Sequence, residues 1–443
     1  MVTIFLPVFS CGSRLQPAPE VLISKGQRLF IAYQQTVRSL QNFLMGVSVM
    51  SIRYFATNRD NENLGQDCNR AERIKLQEGG YHFVDMKAYM SYYLSEVDSK
   101  SMPKEVIIKD SQEKVFEKFL NNKKIGSIVI CVHGYYVHFH DAQTWYGILT
   151  DALRHTRSLK GKIITDPVEQ DKEIFDDNAV KDGSLVAFIG FSWPSNGNVF
   201  SYMSDQGEAR SSAPVLANLI TRIREQRKDV SVNLICHSMG NYLACHMFKQ
   251  LVNEESVPKV SNEKISEIFK KRISRIDDVS TVNVEDRYFV DRYVMLAPDM
   301  ERRYITKCVE VLDDIGTDKE KATYVGPFYS GLEHLVGQVH NFYSRFDGAL
   351  AISNIEKLPR KALASAKGIM DKLTFGLIDY LERNPDEKWE QRLGATQQPI
   401  IAPPNMKSHN AVEITGREIG HSDYVDSIEI ANVIADILVS QLG

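Results

Sequence analysis

The sequence is short of several things that would settle its class early. Its six cysteines include no CxxC pair, so neither a thioredoxin-type redox pair nor the common zinc spacing is present. Cys131, Cys236 and Cys245 stand in apolar runs, where a thiol behaves as a small hydrophobe. A reducing compartment is therefore a simpler reading than a disulfide framework. No run reaches the ~18–20 apolar residues that a membrane-spanning helix needs. There is no long block of one charge sign and no short-period repeat. With 53 basic against 57 acidic residues and a formal net charge of −4, the basic bias of a nucleic-acid binder is missing, and no nucleic-acid partner is expected. The opening MVTIFLPVFSCGS is apolar but lacks a positively charged n-region, and Cys11 beside Phe9 makes a poor lipoprotein acceptor. It reads as a terminus rather than a targeting signal, and the expected compartment is cytoplasmic.

What is present is an ordinary globular composition. The 443 residues are 43% hydrophobic and 25% charged, enough to bury a large core. Residues 24–45 carry Leu29, Tyr33, Val37, Leu40 and Leu44 at helical spacing and read as an amphipathic helix in an N-terminal extension, 1–46. Val47–Tyr54 then reads as a strand closed by turn chemistry at Thr57–Asn61. From residue 125 the pattern becomes regular. Short apolar runs without strict alternation fall at Ile128–Val132, Leu185–Phe191, Val230–Cys236, Tyr293–Ala297 and Val339–Tyr343. Such runs suit strands covered on both faces. Helical patterns lie between several of them, at Trp145–Arg154, around Val215–Ile223 and at Asn241–Leu251. A last strand at Ala411–Ile414 and a helix from about Ser427 to Leu442 complete the order. Strand–helix alternation of this kind predicts a doubly wound α/β sheet. Polar segments at about 161–183, 253–287, 302–336 and 352–408 read as insertions into one domain spanning 47–443. The last insertion carries Leu363, Ala366, Met370, Leu373 and Leu377 at helical spacing. It reads as a lid, as a helix packed on the body, or as an amphipathic helix making membrane-surface contact through 352–408.

The chemistry concentrates at Val232–Asn241. An apolar strand runs into Cys236-His237-Ser238-Met239-Gly240-Asn241 and then into a helix. This is the context of a nucleophile elbow, a serine on a turn so tight that the positions two before and two after it must be small. Gly240 meets that demand, and Cys236 stands where glycine is usual. The helix that follows points its unpaired N–H groups at a developing oxyanion, with the N–H of Met239 as one donor. The strand ending in His133-Gly134-Tyr135 supplies a second loop, with the N–H of Tyr135 as the other donor. His133, His138, His140 and Asp141 could suggest a metal, but no second ligand group stands out and serine chemistry requires none. Neither metal nor cofactor is expected.

A nucleophilic serine needs a base, and the base needs an orienting carboxylate, in the chain order Ser, acid, His. His421 lies in the turn between the last strand and the last helix. His334 and His409 precede strands, and His340 lies inside one. Asp347, after the penultimate strand, is the preferred acid, with Asp299 after the preceding strand as the alternative. Trp193 in Phe191-Ser192-Trp193-Pro194-Ser195 reads as a pocket wall, and Tyr202, Asp205 and Arg210 as support for the site or as loop packing and N-capping.

Several blocks agree in order: Tyr54–Arg59, His133–Tyr135, Phe191–Ser195, His237–Asn241, Ala297–Asp299, Tyr343–Leu350 and Gly420–Ser422. On these the sequence resembles an uncharacterised α/β-hydrolase family, a domain of unknown function. The resemblance covers about residues 47–440. It implies an α/β-hydrolase fold, with a mostly parallel central sheet, helices on both faces and helical insertions. It also implies the arrangement Ser238–Asp347–His421, and it names no substrate. Tyr136 departs from the pattern, which tends to have asparagine there. The activity expected is that of a serine hydrolase cleaving an ester or thioester, esterase- or lipase-like, acting on a small-molecule ester or a lipid acyl chain. A non-catalytic binding or effector protein and a peptidase of the same fold are the other readings. The sequence names neither the acyl group nor the oligomeric state.

Overall fold

The computed structural model describes residues 52–59, 80–85, 109–135, 137, 139–164, 181–195, 202–252, 288–307, 326–350, 392–399 and 401–440. The chain divides into two compact units. The larger, 50–356 with 377–443, contains every described residue, and the smaller, Met1–Val49 with Lys357–Gly376, lies outside them. The expected N-terminal helix and the apolar helix of the fourth insertion also lie outside the described residues, as does all of 253–287.

Among the described residues nine strands form one sheet: β1 (Tyr54–Thr57), β2 (His82–Asp85), β3 (Ile125–Val132), β4 (Ile163–Ile164), β5 (Leu185–Ser192), β6 (Ser231–His237), β7 (Val290–Leu296), β8 (Val336–Tyr343) and β9 (Met406–Asn410). Their order is β2-β1-β5-β3-β6-β7-β8-β9, with β4 beside β5. Among the described strands only β2 runs antiparallel to its neighbour. The helices are α1 (Lys109–Asn121), α2 (Phe139–Arg154), α3 (Tyr202–Gln226), α4 (Met239–Val252), α5 (Tyr329–Leu335), α6 (Ala411–Thr415) and α7 (Ile428–Val439). Among the described residues no helix is long and apolar enough to cross a membrane.

The missing alternation in the strands has a direct cause. Along β3, Ile128, Ile130 and Val132 enter one apolar cluster, while Val129 and Cys131 enter the other. The first cluster is closed by α1, α3, α4 and α5, through Phe116, Leu219, Met247 and Leu332 among others. The second is closed by α2 and α7, through Tyr146, Leu149, Ile430 and Ile434. A strand buried on both faces has no solvated side to carry polar residues. Each wholly buried Ile or Val contributes about 1.5–3 kcal/mol, so the central strands anchor the fold.

The edges of the sheet correct the reading made from sequence. The first described strand is Tyr54–Thr57; of the expected Val47–Tyr54, residues 52–53 are not strand, and 47–51 lie outside the described residues. Phe55, Ala56 and Thr57 continue it because they pair with Gly190, Phe191 and Ser192 of β5. The last strand is Met406–Asn410, not Ala411–Ile414. The β-branched run Ala411–Thr415 is a single helical turn, capped by the Asn410 side chain accepting from Val412 N and stopped by Gly416 at φ 68°. His409 consequently lies within a strand rather than before one. The polar segments also shrink: 161–183 contains β4, 302–336 contains α5, and the end of 352–408 belongs to the sheet.

Candidate active site

The C-terminal ends of β3, β6 and β7 meet at Ser238. Strand β6 ends at His237 and α4 begins at Met239, so Ser238 alone makes the turn. Its φ of 52° lies in the left-handed region that side chains other than glycine seldom occupy. Three features hold the strained turn. Ser238 N donates to Leu296 O at 3.0 Å, and Asn241 N donates back to Ser238 O at 3.0 Å. The Asn241 amide donates to Ser238 O, Cys236 O and Leu296 O at 3.1–3.2 Å. Tyr293 fixes the other end of that amide by donating to its Oδ1 at 2.9 Å.

The small-residue demand is met by steric contact. A Cβ on Gly240 would lie 2.5 Å from His133 O and 2.8 Å from Val132 O. A Cβ on Gly134 would lie 2.7 Å from Ser238 Cβ. The His133–Tyr135 turn is thus pressed against the serine. Cys236 is accommodated as a buried thiol whose pKa is pushed well up by burial. Met239 is wholly buried at the first position of α4, where N–H groups have no intrahelical partner. Tyr135 is half-buried, its ring edge-on to Tyr202 at 5.6 Å.

His421 stands in the turn before α7, and its Nδ1 lies 2.9 and 3.0 Å from the two oxygens of Asp347. A carboxylate accepts, so Nδ1 carries the hydrogen. The Asp347 side chain is fully buried, while 22% of that of His421 remains exposed. Burial lowers the His421 pKa, but the charge and hydrogen bonds of Asp347 outweigh it, Asp299 adds to them, and the net shift is upward. Asp299 does not touch His421 through a hydrogen bond. Its Oδ2 accepts from Tyr202 Oη at 2.7 Å, Arg392 stands 3.7 Å from Oδ1, and its backbone N donates to Ser238 O at 3.3 Å. Among the described residues no hydrogen bond joins Ser238 Oγ to His421; the two are linked instead through His237, which precedes the serine.

That link uses a residue for which the sequence suggested no role. His237 Nε2 donates to His421 O at 2.7 Å, and the two rings lie 4.7 Å apart. Burial, with His421 beside it, lowers its pKa to about 3, so it is neutral. The sequence likewise points to no role for Asn241 and Arg59, although both lie within the matching blocks. Trp193 requires a correction. It is wholly buried and stacks on His133 at 5.4 Å with 9° between planes, behind the loop rather than walling a pocket. Both nitrogens of the buried His133 ring are already engaged by neighbouring protein groups. His138 and the His140 side chain lie outside the described residues.

A family model described as "Alpha/beta hydrolase of unknown function (DUF900)" matches residues 108–363. An uncharacterized protein of Nostoc sp. is 46% identical over 389 residues, spanning 88% of this chain and 94% of the relative. The chain is also similar to the crystal structure of Aspergillus fumigatus lipase B, at 12% identity and a TM-score of 0.34, over 91% of this chain and 67% of that one.

Proposed function

This chain belongs to the alpha/beta hydrolases of unknown function (DUF900), and from that membership we propose that it is a serine hydrolase cleaving an ester or thioester through an acyl-enzyme. The observation that carries the reading is the fully buried Asp347 carboxylate holding His421 Nδ1 at 2.9 Å, beside a serine strained to φ 52° on its elbow. With the hydrogen fixed on Nδ1, His421 Nε2 is left with the lone pair a general base needs. In the proposed reaction Ser238 Oγ attacks the acyl carbon and His421 Nε2 takes its proton. Asp347 stabilises the imidazolium, consistent with the upward shift of the His421 pKa. The N–H groups of Met239 and Tyr135 receive the oxyanion, each donor contributing about 10²–10³-fold to the rate. His421 then protonates the departing alcohol or thiol, and water, activated by the same imidazole, releases the acid. The strain at Ser238 serves this role, because a relaxed turn would withdraw Oγ from the strand ends.

A fluorophosphonate tests the proposal, since it reacts selectively with an activated serine. The folded wild-type chain is expected to take up one label, and Ser238→Ala none. No label on the wild type would favour the binding-protein reading, and a labelled Ser238→Ala would remove Ser238 from the mechanism.

A further inference from the structure

Beneath the His133–Tyr135 turn lies a buried polar assembly that the mechanism above does not use. Arg59, immediately after β1, is 2% exposed. Its Nε donates to Ser192 Oγ at 3.0 Å and one Nη donates to Val137 O at 2.7 Å. The same Nη stands 3.5 Å from His133 Nε2. The His133 ring is wholly buried against Trp193, whose indole N–H donates to His133 O at 2.9 Å. Its Nδ1 lies 2.8 Å from Gly134 O, and its Nε2 lies 3.2 Å from the backbone N of Trp193.

These contacts fix the protonation of the ring. A carbonyl oxygen accepts and a backbone N–H donates, so Nδ1 carries the hydrogen and Nε2 accepts. A second proton on Nε2 would face both the Trp193 N–H and the Arg59 guanidinium. Burial and Arg59 accordingly depress the His133 pKa well below the usual histidine value. The neutral ring is then a fixed donor to Gly134 O. The peptide joining Gly134 to Tyr135 is trans, so its C=O and N–H point in opposite directions. With the carbonyl held toward the His133 ring, the Tyr135 N–H is turned away from it, on a loop whose Gly134 lies against Ser238.

We propose that His133 and Arg59 are positioning residues for the oxyanion site. His133 sets the face of the Gly134–Tyr135 peptide and so aims the Tyr135 N–H, while Arg59 anchors the far end of the loop at Val137. This rests on the serine-hydrolase reading, and it adds a reason why a charged side chain is buried under the loop: a guanidinium fork reaches Ser192 and Val137 together, as a lysine ammonium does not.

The test compares two amides at position 133 in the full chain. In His133→Asn the amide nitrogen takes the place of Nδ1 and still donates to Gly134 O. In His133→Gln it falls near Nε2 and leaves that carbonyl unheld. The readout is kcat and KM on p-nitrophenyl acetate and on its thiono analogue, whose sulfur is a poor acceptor and gains little from oxyanion donors. His133→Gln is expected to lose about 10²-fold in kcat on the oxygen ester with KM little changed, the scale of one lost oxyanion donor. Its preference for the oxygen ester over the thionoester should collapse, and His133→Asn should keep both rate and preference. A merely structural role would lower both substrates alike, and that result, or an unaffected His133→Gln, overturns the proposal. Should His133→Gln fail to fold, Arg59→Lys must reduce the same preference with His133 intact, and an unchanged preference there is equally fatal. A wild type that hydrolyses neither substrate and takes no fluorophosphonate removes the hydrolase reading instead. The clamp is then judged by crystal structures of the two variants: the Gly134–Tyr135 peptide must turn over in His133→Gln and not in His133→Asn, and an unturned peptide in His133→Gln contradicts it.

Discussion

A single methyl group at Gly240 probes the geometry of the elbow. The added Cβ would sit 2.5 Å from His133 O and 2.8 Å from Val132 O. Both are backbone atoms at the end of β3, so no side chain can swing aside. Reaching even 3.0 Å requires a movement of about 0.5 Å between that strand end and the start of α4. The movement separates Ser238 and Met239 from the loop that carries Tyr135. Overpacking of this kind costs about 1–3 kcal/mol of stability. A misplacement approaching 1 Å costs up to about 10²-fold in rate, so a loss of roughly 10–10²-fold in kcat is expected for Gly240→Ala. Gly207→Ala is the control: it lies within α3 with nothing inside 4 Å, and it should gain about 0.5–1 kcal/mol with no change in rate. Urea unfolding and p-nitrophenyl acetate hydrolysis on the same preparations separate the two effects. Wild-type kcat in Gly240→Ala would refute the claim that the His133 loop and the elbow form one tightly fitted unit.

Other outcomes follow from the same contacts. Asp347→Asn should lose about 10⁴-fold in kcat, the scale of a base left in the wrong tautomer, and Asp299→Asn far less; a larger loss at Asp299 reverses the choice of acid. The acid limb of kcat/KM should report a His421 pKa above the usual histidine value, since Asp347 raises it. Activity falls as pH drops through that pKa, and in Asp347→Asn the limb should move to lower pH; a limb that stays put excludes His421 as the titrating group. His246, packed edge-on against Tyr242 and Phe328 and near Lys249 and Arg210, has its pKa lowered by burial to about 3. The unfolded chain therefore binds a proton there that the native chain does not, so its stabilising contribution is present above pH ~6.5 and is lost as pH falls toward 3. His246→Gln should flatten the urea-stability profile in that window by up to about 1.4 kcal/mol per pH unit, and an unchanged slope contradicts the assignment.

How much was legible in the sequence follows from where each residue finds its partners. Strands β3, β5, β6, β7 and β8 could be read because both of their faces are buried and their sequences are correspondingly apolar. Strand β9, Met-Lys-Ser-His-Asn, could not: it is an edge strand whose identity comes from pairing with Val339–Tyr343 rather than from its own side chains. The run Ala411–Thr415 misleads because β-branched residues suggest a strand, although Asn410 and Glu413 carry a helix-start signal three residues apart. The residues of the proposed triad, Ser238, Asp347 and His421, stand out in the sequence by their places after strands. The supports Arg59, His133 and Asn241 do not, because what they hold are mostly backbone carbonyls. Arg59 reaches Val137 O across 78 residues and Asn241 reaches Leu296 O across 55. Side chains that bond to backbone leave no complementary residue type to find. Trp193 shows the converse. An aromatic residue at a strand end suggested a pocket wall, and its actual partner is the His133 ring.

The proposed mechanism requires that Ser238 carry the acyl group. Rapid quenching after mixing with p-nitrophenyl acetate, followed by peptide mass mapping, reads this directly. The expected result is an acetyl group on the peptide containing Ser238 in the wild type, formed in a burst, slowed severely in His421→Ala and absent in Ser238→Ala. Turnover with the acetyl group on another residue, or with no acyl-enzyme and an active Ser238→Ala, would contradict it.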